Sequence, residues 1–401
     1  MTHWRFRKAA ILTSLVLVVL CLMEFWLPNY VSRFSKRIAV DLGISDGRDR
    51  TRYAQGTHWE SNDFLFSFVP VEGTETQRVA GVLRVDDPKQ FVVVDQQADT
   101  IEGYQLGALL AANGYSIAVK NSGGIKQIIE VEGALFALVS LQHEECVFAG
   151  LVDLSAMRMA DKFPCFPEVE NELSFNGIGG GYTTKDGFLY VSIGTAANRG
   201  TDAHSQLAQD PKSPFGKTLR YKIVRTPTGV QLEDREMFSL GHRNPQGMMT
   251  FDDLILSVEH GPKGGDELNI IDQNRNYGWP YYSMGSEYND EPIPGTAPVG
   301  EGMTDPVYAF VPSIGISDIS HCPEILAKYY EGLDCVLISS LRAKSFYIVL
   351  GHLKDRKVLS IEKIEVQGRV REMFLQDELL FLVTDFGNVI RVDIETLAGS
   401  H

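Results

Sequence analysis

From about residue 61 onward the chain is broken into short apolar runs separated by turn residues, and this pattern limits the fold more than any other. Phe91–Val94, Tyr115–Val119, Cys146–Val152, Phe188–Ile193, Leu254–Val258, Cys335–Ile338 and Leu379–Val383 are rich in Val, Ile, Leu and aromatics, and Gly, Asp or Asn bounds most of them. Runs this short read as β-strands rather than helices. Pro323–Tyr330 offers at most a helical turn or two. So many strands over some 340 residues call for repetition rather than one sandwich, and a propeller is the best fit. Six blades would take roughly 55 residues each, long for four strands and their turns, so extended loops are expected on one face. The recurring theme, as in Lys185-Asp186-Gly187-Phe188-Leu189-Tyr190-Val191, is too degenerate to set the blade number by itself.

Ahead of this region, residues 9–23 are almost wholly apolar, follow Arg5, Arg7 and Lys8, and are separated by Glu24 from Phe25, Trp26 and Leu27. With that extension the stretch nears ~18 residues, enough for a short membrane span. No small-residue cleavage site follows closely, so residues 1–28 are read as one N-terminal transmembrane helix acting as an uncleaved signal anchor, in preference to a removed signal peptide. Arg33, Lys36 and Arg37 balance the basic residues before it, so charge does not set orientation. Residues 29–60 are polar and read as a tether, and residues 61–398 as the propeller, expected on the periplasmic or extracellular side.

A net charge of −15 without a basic stripe argues against nucleic acid as a partner. Cys21 lies in the anchor, leaving Cys146, Cys165, Cys322 and Cys335. Two disulfides suit an exported domain, and sequence neighbours suggest Cys146 with Cys165 and Cys322 with Cys335, although other connectivities are open. No zinc-type cysteine spacing is present.

Functional residues concentrate in Gly241-His242-Arg243-Asn244-Pro245-Gln246-Gly247, Glu259-His260-Gly261-Pro262-Lys263-Gly264-Gly265-Asp266-Glu267 and Asn276-Tyr277-Gly278-Trp279-Pro280. Glycine and proline fix backbone shape where polar groups must converge, so this reads as a built site. Together with Gln206-Leu207-Ala208-Gln209-Asp210, Gly216-Lys217-Thr218-Leu219-Arg220 and Gly368-Arg369-Val370-Arg371, these blocks resemble the PQQ-dependent glucose, sorbosone and aldose sugar dehydrogenases, six-bladed propellers holding pyrroloquinoline quinone and calcium.

The resemblance implies a membrane-anchored quinoprotein oxidising a sugar hydroxyl by hydride transfer to PQQ. It assigns Arg243, Asn244, Arg342, Arg369 and Arg371 to the cofactor, whose three carboxylates need fixed cations. Strand alternation would put Arg369 and Arg371 on one face. Gly261 and Pro262 match carbonyl donors to the cofactor-bound calcium, and Glu267 and Tyr277 match a second calcium site.

Two departures stand out. The position of the family's histidine general base falls on Gly177, and Glu132 in Glu132-Gly133-Ala134-Leu135-Phe136 replaces a glutamine that contacts the cofactor. Glycine takes no proton, so His204 is the candidate substitute, with His143 and His242 behind it. The alternative reading, which accounts for both losses, is a non-catalytic propeller that binds a glycan, an anionic ligand or a protein partner.

Overall fold

The computed structural model describes residues 57–397, apart from 62, 72–78, 85–90, 102, 118–122, 145, 166–177, 198, 289–290 and 294–301. The segment read as an anchor and Gly177 lie outside the described residues. Among the described residues no helix is long and apolar enough to cross a membrane.

The apolar runs become strands in six antiparallel sheets that follow one another along the chain. The first pairs Val79–Arg84 with Phe91–Asp95, and the second holds Ser116–Ile117, Ile125–Val131, Ala134–His143, Cys146–Asp153 and Arg158–Lys162. The third comprises Tyr182–Lys185, Phe188–Ile193, Lys217–Thr226 and Gly229–Leu240. Pro245–Phe251, Leu254–Glu259, Asp266–Ile270 and Tyr308–Phe310 make the fourth; Ile316–His321, Asp334–Ser340, Ser345–His352 and Lys357–Glu365 make the fifth. The sixth joins both ends of the described chain: Phe64–Pro70 pairs antiparallel with Val389–Thr396, beside Leu379–Thr384 and Val370–Gln376. Thr57–Glu60 pairs with Phe64–Pro70 at the edge of that sheet, so the fold reaches four residues into the segment read as a tether.

Every gap between successive sheets is filled by its own apolar cluster. Leu83 and Val94 meet Ile125 and Val139 between the first and second sheets. Phe136 and Leu138 meet Leu189 and Val191 between the second and third. Tyr190 and Phe238 meet Met248 and Ile255 in the next gap, and Leu256 and Leu268 meet Ile316 and Ile338 in the one after. Leu337 and Phe346 pack on Leu380 and Leu382, and Phe374 and Phe381 close back on Val79. A sheet that buries both faces against neighbours has no free face, which is why the runs are continuously apolar rather than cleanly alternating. Among the described residues the result is an all-β ring of six sheets whose first strands, counted outward from the axis (Val79–Arg84, Ile125–Val131, Tyr182–Lys185, Pro245–Phe251, Ile316–His321 and Val370–Gln376), surround a central cavity.

The first strands share one irregularity. Register shifts interrupt their pairing at Val79/Gly81, Ile125/Gln127, Pro245/Gly247, Ile316/Asp318 and Val370/Glu372. A bulge bends its strand and re-aims a side chain. The same device thus recurs where five of the strands begin, and Gln246, Ser317 and Arg371 sit in three of these bulges.

Helix is confined to connections. Leu106–Ala112 packs Leu106 and Leu110 into the gap between the first two sheets. Glu324–Tyr329 occupies the predicted Pro323–Tyr330 stretch. Cys322 and Cys335 form the expected disulfide, and Cys165 is also disulfide-bonded.

Candidate functional site

The dense sequence blocks meet at the end of the ring where the first strands start. Gly241 turns the chain out of the third sheet with φ +82°, and a Cβ there would lie 2.2 Å from Asn276 Oδ1, so the close approach needs glycine. Asn276 Nδ2 donates to Gln209 Oε1 at 2.8 Å, and Gln209 Nε2 donates to the Trp279 carbonyl at 2.6 Å. The Gln206–Asp210 and Asn276–Pro280 blocks are therefore parts of one loop layer. Lys217, fully buried, ties that layer to its sheet: Nζ donates to the carbonyls of Leu207, Ala208 and Phe215 at 2.7–2.9 Å. Burial pulls its ammonium down to about 7, and the three carbonyls are what make the buried cation tolerable.

Arg243 is buried, with its guanidinium 5.2 Å from the Trp279 ring centre and Nη1 donating to the His260 carbonyl at 3.3 Å. Its backbone N–H donates to Glu259 Oε2 at 3.0 Å. Asn244, also buried, accepts from Gln246 Nε2 at 2.7 Å. Across the layer, Arg369 Nε and Arg371 Nε each donate to Asp385, on Oδ2 and Oδ1 respectively, at 2.8 Å. Burial alone would raise the Asp385 carboxyl, but Arg371 and Arg369 override it and hold it well below the usual carboxylate range. Arg369 precedes the strand Val370–Gln376 and Arg371 sits in its bulge, so it is the shared carboxylate rather than strand alternation that brings the two arginines together.

His260 lies with its ring Nδ1 3.9 Å from Asp266 Oδ1. Its imidazole is pulled down to about 4, first by burial and then, against the opposing pull of Asp266, by Arg243, Arg371 and Arg369. Asp266 organises the neighbouring turns, accepting from the Gly261 backbone N–H at 3.1 Å, Ser313 Oγ at 2.8 Å and the Gly315 N–H at 2.7 Å. Arg342 sits beside that second turn, its own N–H donating to the Ile314 carbonyl, but its side chain is exposed, unlike that of Arg243.

Behind Arg243, Glu259, Gly261, Glu267 and Tyr277 line a cavity of about 10 Å³, the size of one water sphere. Glu267 has its pKa raised well above the usual range, first by burial and then by the neighbouring Glu259, with Asn269 Nδ2 donating to it at 3.1 Å. Two such carboxylates side by side suit a hard cation. The Tyr277 hydroxyl donates to the Ile270 carbonyl and accepts from the Asp272 N–H, so any part Tyr277 plays toward a cation falls to its backbone carbonyl. Among the described residues no group of three or more His, Cys, Asp and Glu could hold a metal, so backbone oxygens such as those of Gly261 and Pro262 would have to complete a shell.

The central cavity itself has a volume of about 530 Å³. It is walled by the first strands: Lys126 and Gln127 from the second sheet, Gly179, Gly181 and Tyr182 leading into the third, Gln246 and Gly247 from the fourth, Asp318 from the fifth and Arg371 from the sixth. Arg371 thus belongs both to this cavity and to the cation cluster.

Three expectations change. His204 is 1% exposed within the turn Ala203–Ala208 and lines neither cavity, so it is not placed to meet a ligand. Glu132 lies in the hairpin turn after Ile125–Val131, at the opposite end of that strand from the site, where Arg225 Nε and Nη2 clamp its carboxylate at 2.6 Å. The site end of the second sheet is formed instead by Gly124 and Ile125. The other histidines are also committed: His143 bonds the Gly114 carbonyl, and His242, buried and stacked on Tyr277, bonds Ser239 Oγ.

The comparisons bear on the family and the fold. The family described as Glucose / Sorbosone dehydrogenase matches residues 167–391, more than half of the chain. Aldose sugar dehydrogenase of Escherichia coli is 32% identical over 147 residues, covering 33% of this chain and 37% of that protein. The chain spans about a third of the length of the curated relatives it matches. The soluble aldose sugar dehydrogenase of Escherichia coli in its apo-form superposes with a TM-score of 0.63 at 18% identity, covering 83% of this chain and 100% of that one. The PQQ-bound aldose sugar dehydrogenase of Streptomyces coelicolor does so with a TM-score of 0.54 at 20% identity, covering 82% and 98%. At these identities the structures speak for the fold.

Proposed function

Because the chain belongs to the glucose/sorbosone dehydrogenase family, we propose that it is a quinoprotein that binds PQQ with calcium and oxidises a hydroxyl of an aldose sugar. The observation that carries this reading is that Arg369 and Arg371 both bond the buried Asp385 while the buried Arg243 donates to the His260 carbonyl. Two guanidiniums already holding one carboxylate, and a third buried beside His260, suit a polycarboxylate ligand. Arg243 and Asn244 would orient it from the fourth sheet, and Arg369 and Arg371 from the sixth. Arg342, exposed beside the Ser313–Gly315 turn, would close over it from the fifth. Gly261 and Pro262 would offer carbonyl oxygens to the first calcium, and Glu267, next to Glu259, would serve a second. When bound, PQQ supplies a two-electron acceptor. His260, kept neutral at physiological pH, adds no positive charge of its own and lets the arginines dominate the field.

In the same reading the six sheets are six propeller blades, and residues 1–28 anchor the chain to a membrane with the ring on the exported side. The Cys322–Cys335 disulfide supports an oxidising compartment. The second reading, a propeller that binds an anionic ligand or glycan without turnover, draws on Gly177 and on the bridging of Arg369 and Arg371 by Asp385.

Calorimetric titration of the detergent-purified chain with PQQ in excess calcium, followed by dye reduction with a panel of aldoses, separates the readings. Tight binding with turnover is expected. Binding without turnover would favour the second reading, and no binding would dismiss PQQ as the ligand.

A further inference from the structure

We propose that the central cavity is the sugar-binding compartment and that Asp318 is the group within it that accepts the proton of a sugar hydroxyl. The proton-accepting part rests on the quinoprotein reading; the sugar-binding part does not.

The cavity is large enough for a small sugar, at about 530 Å³, and its wall is amide, hydroxyl and charge rather than hydrocarbon: Gln96, Gln127, Thr183, Gln246 and Ser317 all line it. A hydroxyl-rich ligand is what such a wall can satisfy. Its position relative to the cations follows from Arg371, which reaches Asp385 from the cavity wall.

Asp318 is held in place by elements on either side. Its Oδ2 accepts the Met373 backbone N–H at 2.8 Å, from the sixth sheet. Its Oδ1 lies against Gly247 of the fourth sheet, where a Cβ would come within 2.7 Å of both that oxygen and the Asp318 Cα. The glycine makes room for the carboxylate, and the bulge at Ile316/Asp318 re-aims the strand there. The charged and titratable groups sharing the cavity are Lys126, Glu130, Tyr182, Arg371 and Glu372. Burial raises the Asp318 carboxyl to about 7, with the Met373 and Ile319 N–H groups opposing the rise. A base with such a pKa can take a proton at neutral pH and give it back.

The resemblance puts a glycine, Gly177, where the family has its histidine base. Gly179 and Gly181, which follow the glycine standing at the family's histidine position, line the cavity without offering a proton acceptor, while Asp318 enters it from the fifth sheet. In the oxidation the hydroxyl O–H bond breaks and its proton passes to Asp318. The C–H bond on the same carbon breaks with its hydride going to the quinone acceptor, and the carbon–oxygen double bond forms.

The test uses the full chain in detergent micelles, as wild type and as Asp318→Asn, which keeps an acceptor for the Met373 N–H; circular dichroism checks the fold of both. Calorimetric titration with D-glucose, D-galactose and D-xylose is run without PQQ at pH 8 and pH 5.5. At least one sugar is expected to bind the wild type at pH 8, with about tenfold loss at pH 5.5 and in Asp318→Asn. An infrared carboxyl band titrating near pH 7 in the wild type should vanish in the variant. With PQQ and calcium added, kcat/KM should rise with pH through about 7 in the wild type, and Asp318→Asn should lose that limb and about 10²–10⁴ in kcat. No sugar binding by the wild type, equal binding by both proteins, or an unchanged pH limb would overturn the proposal. Failure of PQQ to bind would overturn only the quinoprotein reading, since the sugar titration is made without it.

Discussion

The two halves of the site are built on opposite plans. On the side of the fourth to sixth sheets, charge is dense and already partnered: Arg243 over Trp279 and against the His260 carbonyl, Arg369 and Arg371 on Asp385, Asp266 gathering four donors. On the side of the first to third sheets the wall sets Gly179 and Gly181 among Lys126, Gln127, Glu130 and Tyr182, with no cluster of arginines, and the resemblance puts Gly177 at the family's histidine position. Preorganised cations can receive an anionic ligand without moving, whereas a wall of glycine does no proton chemistry. The contrast teaches that binding and proton transfer are separable parts of such a site. In the proposed reading the first falls to residues that match the family's, and the second to a group from elsewhere in the ring.

The sharpest way to break the cationic half is Arg371→Met. Asp385 is buried and would keep only Arg369. Breaking a buried pair costs about 3–5 kcal/mol, and the remaining arginine should hold the loss near the lower figure. Because the Asp385 pKa is depressed, its stabilisation is present above the ordinary carboxylate range and fades as the pH falls through it and below. Urea denaturation at pH 7 and pH 3 should therefore show a larger gap between wild type and variant at pH 7. PQQ affinity should fall as well.

Replacing Cys322 and Cys335 by Ser separates stability from the site on the same half. The bridge closes a loop with a sequence separation of 13 at the far end of the fifth sheet. Its loss should cost about 3 kcal/mol in urea denaturation and leave ligand binding unchanged. A change in PQQ affinity here would show that the cation cluster depends on the far end of the ring.

On the cavity side, Asp318→Asn should act on stability with the opposite sign. The Asp318 pKa is raised on folding, so the native state favours the protonated carboxyl, and that contribution is present below the unfolded pKa and lost as the pH rises through about 7. The amide cannot ionise. Thermal denaturation should thus give the variant a higher Tm than wild type at pH 8, by roughly 2–4 °C for each kcal/mol relieved, and little advantage at pH 4.

Much of the fold could be read from the chain alone, because strands buried on both faces write themselves as short apolar runs: Phe188–Ile193 appears with the expected bounds, and Leu254–Val258 and Leu379–Val383 each extend by a single residue. Ile316–His321 was not foreseen, since its Ile-Ser-Asp-Ile-Ser-His pattern is too polar for that rule; it borders the cavity, and so it carries Asp318. The bulges explain why the repeat is so faint in sequence, for they shift the alternation where each strand begins. Among the candidate site residues, Arg243, Arg369 and Arg371 were legible because motifs rich in glycine and arginine mark loops, and the structure gives them His260 and Asp385 as partners. Asp385 was missed, although a lone aspartate between an apolar strand and Gly387 is the partner two neighbouring arginines require. Glu132 was misplaced because local similarity carries no information about which end of a strand a turn occupies.

That misplacement supplies the gentlest test of the comparison. If Glu132 touched the ligand, its removal would relieve a carboxylate from an anion site and tighten PQQ binding. In the structure it is bound to Arg225, whose side chain is 79% exposed, in turns at the other end of the second and third sheets. Exposed pairs typically couple by about 0.2–1 kcal/mol, and the bidentate geometry here favours the upper end. A double-mutant cycle of Glu132→Ala and Arg225→Ala should give a coupling in that range by urea denaturation, weakening with added salt, and both variants should bind PQQ as the wild type does. A shift in PQQ affinity for Glu132→Ala alone would mean that the site extends through the ring, and the division into a cationic half and a glycine wall would have to be redrawn around that carboxylate.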